Sequence, residues 1–402
     1  MTDAPLMHGF PPTPESQVSL ANWRTAPFNR WAFQHAREIV PSAEIANDPE
    51  QVWRLPSAPM DLAGLRIDGE MDLHGFLKAT DTDGLVILHR GRIVAETYAN
   101  GMTSGTPHIL MSVSKSMLGI LTGILSASGT LDLDAPVTRY VPEVAGTAYK
   151  GATLRQLLDM RAGILFDENY LATSGPIIAY RKSTNWNPLE PGEKASDLRS
   201  FYPTLAESDG PHGGRFHYVS PNTDLLGWAI ERAAGERFAD LMSRLLWQPL
   251  GAERSAYITV DRLGAPRCAG GFCATVRDLA RVGQLIVQGG RRGARQVIPE
   301  AWIDDVQKNG DRAAWNAGDF VSYYPGQPIH YRSKWYVLNG QSSSGGAPLL
   351  FGMGVNGQNL FVDRRNEIVI AKLSSHAMPM DEGRIALTMR GIERIRAFLS
   401  TS

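Results

Sequence analysis

Residues 111 to 125 are apolar on nearly every side at helical spacing. Met111, Met117, Leu118, Ile120, Leu121, Ile124 and Leu125 are spread round the whole helix, not along one stripe. A helix of this kind has no face to turn to water, so other elements must enclose it and it becomes the centre of the fold. Gly129 supplies its stop signal. Two polar residues open it. Ser112 and Lys115 stand three apart and share one helical face. There the lysine amine can take the proton of the serine hydroxyl, which at its free pKa is a weak nucleophile. Alone, the spacing is better read as an N-cap serine followed by a solvated lysine.

A chain of 402 residues exceeds one compact core, so two subdomains or one large intertwined domain are expected. The net charge of −1 leaves no electrostatic footprint for nucleic acid or an anionic membrane. The local clusters Arg291-Arg292 and Arg394-Ile395-Arg396 lack aromatic partners and read as solvated surface. Two cysteines, Cys268 and Cys273, are too few for a disulfide framework. With no second pair and no H-E-x-x-H, no metal site is expected. The N-terminus has neither a basic n-region nor an apolar h-region, and no apolar run approaches the ~18 residues of a membrane span. These features point to a cytoplasmic protein, monomer or homodimer, acting on a small molecule.

Residues 1–60 are Pro-rich and irregular, apart from an amphipathic stretch from Asn29 to Val40 whose Trp31 and Phe33 suggest docking onto the body. Gly84 to His89 and Arg92 to Tyr98 read as a hairpin across Arg90-Gly91. Residues 130–250 are mostly helical by pattern, with segments at Thr153 to Met160, Asn222 to Ala234 and Phe238 to Trp247. Between them, Asp167 to Pro203 has no clean period, as binding loops often do. Beyond Pro249 come a strand at Ala256 to Val260, a helix at Val276 to Gln288 and extended runs at His330 to Leu338 and Leu349 to Phe351. A second hairpin, Asn359 to Asp363 and Glu367 to Leu373, and a helix from Gly383 to Leu399 complete the chain. An α+β fold is expected, with one antiparallel sheet built from both ends, flanked by helices, and a mainly helical subdomain inserted. The division is 61–110 with 250–402 for the sheet part and 111–249 for the insertion, with 1–60 packed on the body.

The order of these motifs resembles a known family. Ser112-Val113-Ser114-Lys115 is followed by Gly129 to Val137, by Tyr140-Val141-Pro142-Glu143 and by Leu154 to Gly163. Phe216 to Gly227 comes next, then Gly270-Gly271 leading into Ala274 to Arg281. The series is similar to the serine β-lactamase and penicillin-binding superfamily, with class C β-lactamases and esterases as its relevant branch. Asn29 to Phe33, Met111 to Ser116, Tyr170 and the Gly-x-Gly-x-x-Gly-Gln-Asn stretch Gly352 to Asn359 are similar to the nylon-oligomer hydrolases, which cleave 6-aminohexanoate dimers. The resemblance implies a β-lactamase-like fold and no cofactor. It makes Ser112 the nucleophile, Lys115 its base and Tyr218 the proton carrier for the leaving group. A phenol needs nearby cations to act as a base, so Ser112, Lys115 and Tyr218 should titrate together, with Lys115 lowering Tyr218. The oxyanion would rest on the N–H groups of Ser112 and Val355, with Gly354 permitting close approach.

The departures from the family pattern bear on substrate. β-Lactamases carry Lys-Thr-Gly where this chain has Gly352-Met353-Gly354, which argues against binding a β-lactam carboxylate. Arg181 stands where amide-active relatives carry an acid, Ala269 where they have a small polar residue, and Asn356 where a histidine is expected after Val355. Tyr170 and Trp186 are candidates for closing over a linear acyl chain. Asn222 either faces the site or caps the helix after Tyr218. The implied activity is hydrolysis of small esters and linear amides. The alternative is a penicillin-binding-type protein: a weak β-lactamase, a D-amino-peptidase or a sensor that acylates without turnover. No Gly-x-Ser-x-Gly elbow occurs, and Gly340-Gln341-Ser342-Ser343-Ser344 is only a near match to it.

Overall fold

The β-rich runs at the two ends of the chain pair with each other. In this computed structural model, which describes residues 5–340 and 345–401, the chain runs through β1 (Ser42–Ile45), β2 (Thr82–His89), β3 (Arg92–Tyr98) and β4 (His108–Ile109). The helical stretch follows, then β5 (Ala256–Thr259), β6 (Phe272–Ala274) and the short β7 (Arg291–Arg292) and β8 (Arg295–Gln296). Last come β9 (Ile329–Arg332), β10 (Trp335–Leu338), β11 (Leu349–Gly354), β12 (Gln358–Asp363) and β13 (Ile368–Ser374). Residues 341–344 of the near match to the serine elbow lie outside the described residues.

The main sheet is antiparallel, in the order β3-β2-β13-β12-β11-β10-β9. Both expected hairpins are present. Arg90 and Gly91 take positive φ, as a two-residue hairpin turn requires. Alternation then sorts the side chains. Val86, Leu88, Val369 and Ala371 join the core around the central helix, while Leu85, Ile87, Ile368 and Ile370 pack beneath the C-terminal helix Glu382–Ser400. A smaller sheet, in the order β1-β5-β6-β4, ties the N-terminal region to the rest. Its outer strands, Ser42–Ile45 and His108–Ile109, are too short to show a period in the sequence. Asn29 to Val40 is two short helical pieces, Asn29–Ala32 and Ala36–Glu38, with Phe33 buried and Trp31 at the edge.

The helix Val113–Ala127 is enclosed as its composition demands, with only Ile124, Ser126 and Ala127 left outside its buried set. The two sheets approach it closely. The turn between β9 and β10 puts Ser333 and Lys334 at positive φ, and the Ser116 hydroxyl donates to the Lys334 carbonyl at 2.9 Å. A Cβ on Gly119 would stand 2.3 Å from the Ser333 carbonyl oxygen. Helix propensity alone favours alanine over glycine by about 1 kcal/mol. Overpacking against backbone costs roughly 1–3 kcal/mol and wins here. Gly119→Ala is therefore expected to destabilise the protein by about 2 kcal/mol in urea unfolding. An unchanged or raised midpoint would mean that the hairpin does not grip the helix.

Candidate active site

The turn into the central helix presents Ser112. Ile109 N–H donates to the Phe33 carbonyl at 2.8 Å and Leu110 N–H to that of Phe272 at 2.8 Å, which pins the strand before it. Met111 then takes φ 44°, a conformation that costs a side chain of its size on the order of 1–3 kcal/mol and is held by the surrounding structure. Ser112 occupies the helix N-cap position, but its side chain makes no capping bond. The Lys115 Nζ donates to its Oγ at 2.8 Å instead. The reading as a capping serine with a solvated lysine fails on both counts, since Lys115 is only 1% exposed.

A second bond fixes the lysine. Its Nζ donates to the Ala269 carbonyl at 2.6 Å, and the Ala269 N–H donates to Asp224 at 2.7 Å. Asp224 is itself ion-paired with Arg267 and accepts from the Tyr180 hydroxyl. The Lys115 amine is lowered from 10.5 to about 7, chiefly by burial; Glu168 and Asp224 oppose the shift and Arg267 adds to it. An amine poised there can accept a proton at neutral pH.

Tyr218 lies across the site, its ring centroid 4.9 Å from the Lys115 Nζ. Its ring stacks on Phe320 at 4.6 Å, and its N–H donates to Asp319 at 2.9 Å. The expectation that cations lower this phenol is not met. Burial drives its pKa up and Glu168 adds to the rise; the Ser112 and Tyr336 hydroxyls and Arg267 pull the other way without prevailing. Tyr218 is thus a neutral phenol, suited to giving a proton rather than taking one.

The end of β11 closes on the serine. A Cβ on Gly354 would lie 2.7 Å from the Leu110 carbonyl oxygen and 2.9 Å from the Ser112 nitrogen, so only glycine fits. Among the described residues the Ser112 N–H has no acceptor. Ser112 and Val355 both line a cavity of about 530 Å³.

The same cavity gathers Tyr170, Arg181, Trp186, Ala269 and Asn356; Lys115, Tyr218 and Gly354 sit outside its lining. Trp186 is a fixed wall. Its Nε1 donates to Thr259 at 3.1 Å and its ring stands edge-on to Trp23 at 5.1 Å. Tyr170 is half-buried, and its carbonyl accepts from Arg181 at 3.0 Å. Asn356 takes φ 60° and spends its amide on the His376 carbonyl at 2.8 Å, which ties the backbone together. Asn222 neither caps its helix nor reaches the cavity. It accepts from the Tyr149 hydroxyl at 2.9 Å, and Ser220 holds the N-cap position. Glu168, Arg24 and Arg267 also line the cavity, although nothing in the sequence singled them out. Glu168 accepts from the Ser220 N–H at 2.9 Å and the Ser220 hydroxyl at 2.5 Å.

A family model described as β-lactamase matches residues 74–390. The chain belongs to the β-lactamase family. It is 35% identical over 370 residues to the 6-aminohexanoate-dimer hydrolase of Paenarthrobacter ureafaciens, spanning 92% of this chain and 91% of that one. It is 27% identical over 197 residues to esterase EstB of Burkholderia gladioli, about half of each chain (48% and 49%). A solved Bacillus anthracis structure, provisionally named a 6-aminohexanoate-dimer hydrolase, superposes with a TM-score of 0.86 at 27% identity, covering 97% of this chain and 99% of that one. The β-lactamase-like fold and the similarity to 6-aminohexanoate-dimer hydrolases thus hold, and the chain is a hydrolase of this family. Among the described residues no helix is long and apolar enough to cross a membrane, and no cluster of three or more His, Cys, Asp or Glu side chains could hold a metal ion.

Burying Lys115 bears on stability. Below pH 7 the lysine is charged in both folded and unfolded chains, and the fold bears the whole desolvation cost. Between 7 and 10.5 the folded chain loses the proton first, so that cost fades as pH rises. Lys115→Met is expected to stabilise the protein by on the order of 2 kcal/mol at pH 7, net of the partner lost by the Ala269 carbonyl. The gain should shrink as denaturant melts are repeated towards pH 10. A gain that grew with pH would show that the amine is not held neutral by burial.

Proposed function

We propose that the protein is a serine hydrolase that cleaves small carboxylic esters and linear amides through an acyl-enzyme. One observation carries the reading: a buried lysine amine with its pKa near 7, 2.8 Å from the hydroxyl of a serine that opens a helix. Neutral Lys115 takes the Ser112 proton as Oγ attacks the carbonyl. The oxyanion is held by the N–H groups of Ser112 and Val355, where the helix N-terminus favours negative charge. Tyr218 gives its proton to the departing alcohol or amine and regains one from Lys115. Water then attacks the acyl carbonyl as neutral Lys115 takes its proton, and Lys115 passes that proton to the Ser112 Oγ as the acid leaves. The 35% identity to a 6-aminohexanoate-dimer hydrolase supports linear amides among the substrates. The absence of Lys-Thr-Gly weighs against β-lactams: a Cβ on Gly352 would lie 2.8 Å from the Ser116 hydroxyl, so a side chain there requires that hydroxyl to shift.

Purified protein should turn over p-nitrophenyl butyrate, with Ser112→Ala lowering kcat by roughly a thousandfold or more. Its kcat/KM should rise with pH through about 7, as Lys115 gives up its proton. Wild-type turnover by Ser112→Ala would overturn the assignment. A single burst with no steady state would favour the acyl-sensor alternative.

A further inference from the structure

The cavity beside Ser112 carries more positive charge than it balances. Arg24, Arg181 and Arg267 line it, against Glu168 alone among the acids. Arg267 is compensated by its buried pairing with Asp224. Glu168 has both carboxylate oxygens engaged by Ser220. Arg24 and Arg181 are left. Among the described residues neither forms an ion pair, and each guanidinium gives a hydrogen bond to a neutral oxygen: Arg24 to the Asn187 side chain, Arg181 to the Tyr170 carbonyl at 3.0 Å. The Arg24 Nε is buried with no partner. Burial first, then repulsion from Arg181 and Arg267, lowers Arg24 to about 9. Glu168 offsets part of the Arg181 charge, but three guanidinium groups against Glu168 and Asp224 leave one positive charge in excess, which a bound carboxylate would balance. Leu20, Leu171, Ile177, Ile178 and Met378 contribute apolar surface to the lining, beside aromatic and polar side chains. These apolar side chains can hold a methylene chain.

We infer that the substrate is an ester or amide whose aliphatic chain ends in a free carboxylate, and that Arg24 and Arg181 hold that carboxylate. This rests on the hydrolytic reading of Ser112 and names its substrate class. A chain ending in an ammonium group would meet the same arginines and be repelled.

Three p-nitrophenyl esters of matched length test it: the adipate monoester (anionic), the hexanoate (neutral) and the 6-aminohexanoate (cationic). The adipate monoester should exceed the aminohexanoate in kcat/KM by roughly tenfold or more. In Arg24→Gln/Arg181→Gln the anionic-to-neutral ratio should fall by about tenfold, and Arg24→Lys/Arg181→Lys should restore most of it. A wild-type ratio at or below one, or a ratio unmoved in the glutamine variant, overturns the inference. Adipate itself, which has no bond to cleave, gives a separate reading by titration calorimetry. Binding that disappears in the glutamine variant supports the inference even if no ester is turned over, a result that would count against the hydrolytic role of Ser112 alone. No adipate binding at millimolar concentrations, with esters turned over indifferently to charge, overturns it.

Discussion

A lysine amine shut away from water beside a serine hydroxyl sets the terms for everything around it. An ammonium group at that depth is costly, so the amine sits near neutrality and its donor capacity must be used. The Ala269 carbonyl takes one hydrogen bond, and the N–H of the same residue passes the demand to Asp224. Asp224 in turn is balanced by Arg267, whose guanidinium lies 4.1 Å above the Tyr180 ring. A polar chain thus runs from Ser112 into the helical region. Each member is held by the next, and removing one would leave another buried with a partner lost.

Enclosure of the helix is the mechanical counterpart. The smaller sheet holds its start, the β9–β10 turn touches its middle and the end of β11 closes over the serine. Glycine stands at the tightest of these contacts, Gly119 and Gly354, because backbone meets backbone there. The positive φ of Met111 belongs to the same economy of space, since it helps turn the chain from the strand ending at Ile109 into the helix starting at Val113.

Much of this was legible in the sequence because its signals are local. The central helix declares itself by being apolar all round, and the two hairpins by alternation around short turns. The Ser112–Lys115 spacing puts both groups on one helical face wherever that helix lies. What could not be read depends on distant residues meeting. Glu168 and Arg24 belong to irregular segments with no period, and Arg267 precedes a Gly-Gly turn without any motif of its own. The protonation of Tyr218 depends on how deeply it is buried, which spacing does not report. Asn356 is explained by a left-handed backbone position that an asparagine tolerates.

The pairing of β13 with β2 also governs the order in which the molecule can be completed. The central helix leaves the ribosome long before β11 and β13 exist, with its apolar surface facing partners not yet synthesised. Neither the closure over Ser112 nor the shelter of Lys115 can form until the last third of the chain arrives. Until then the apolar surface of the nascent helix stays uncovered, and the finished pocket appears only at the end of synthesis.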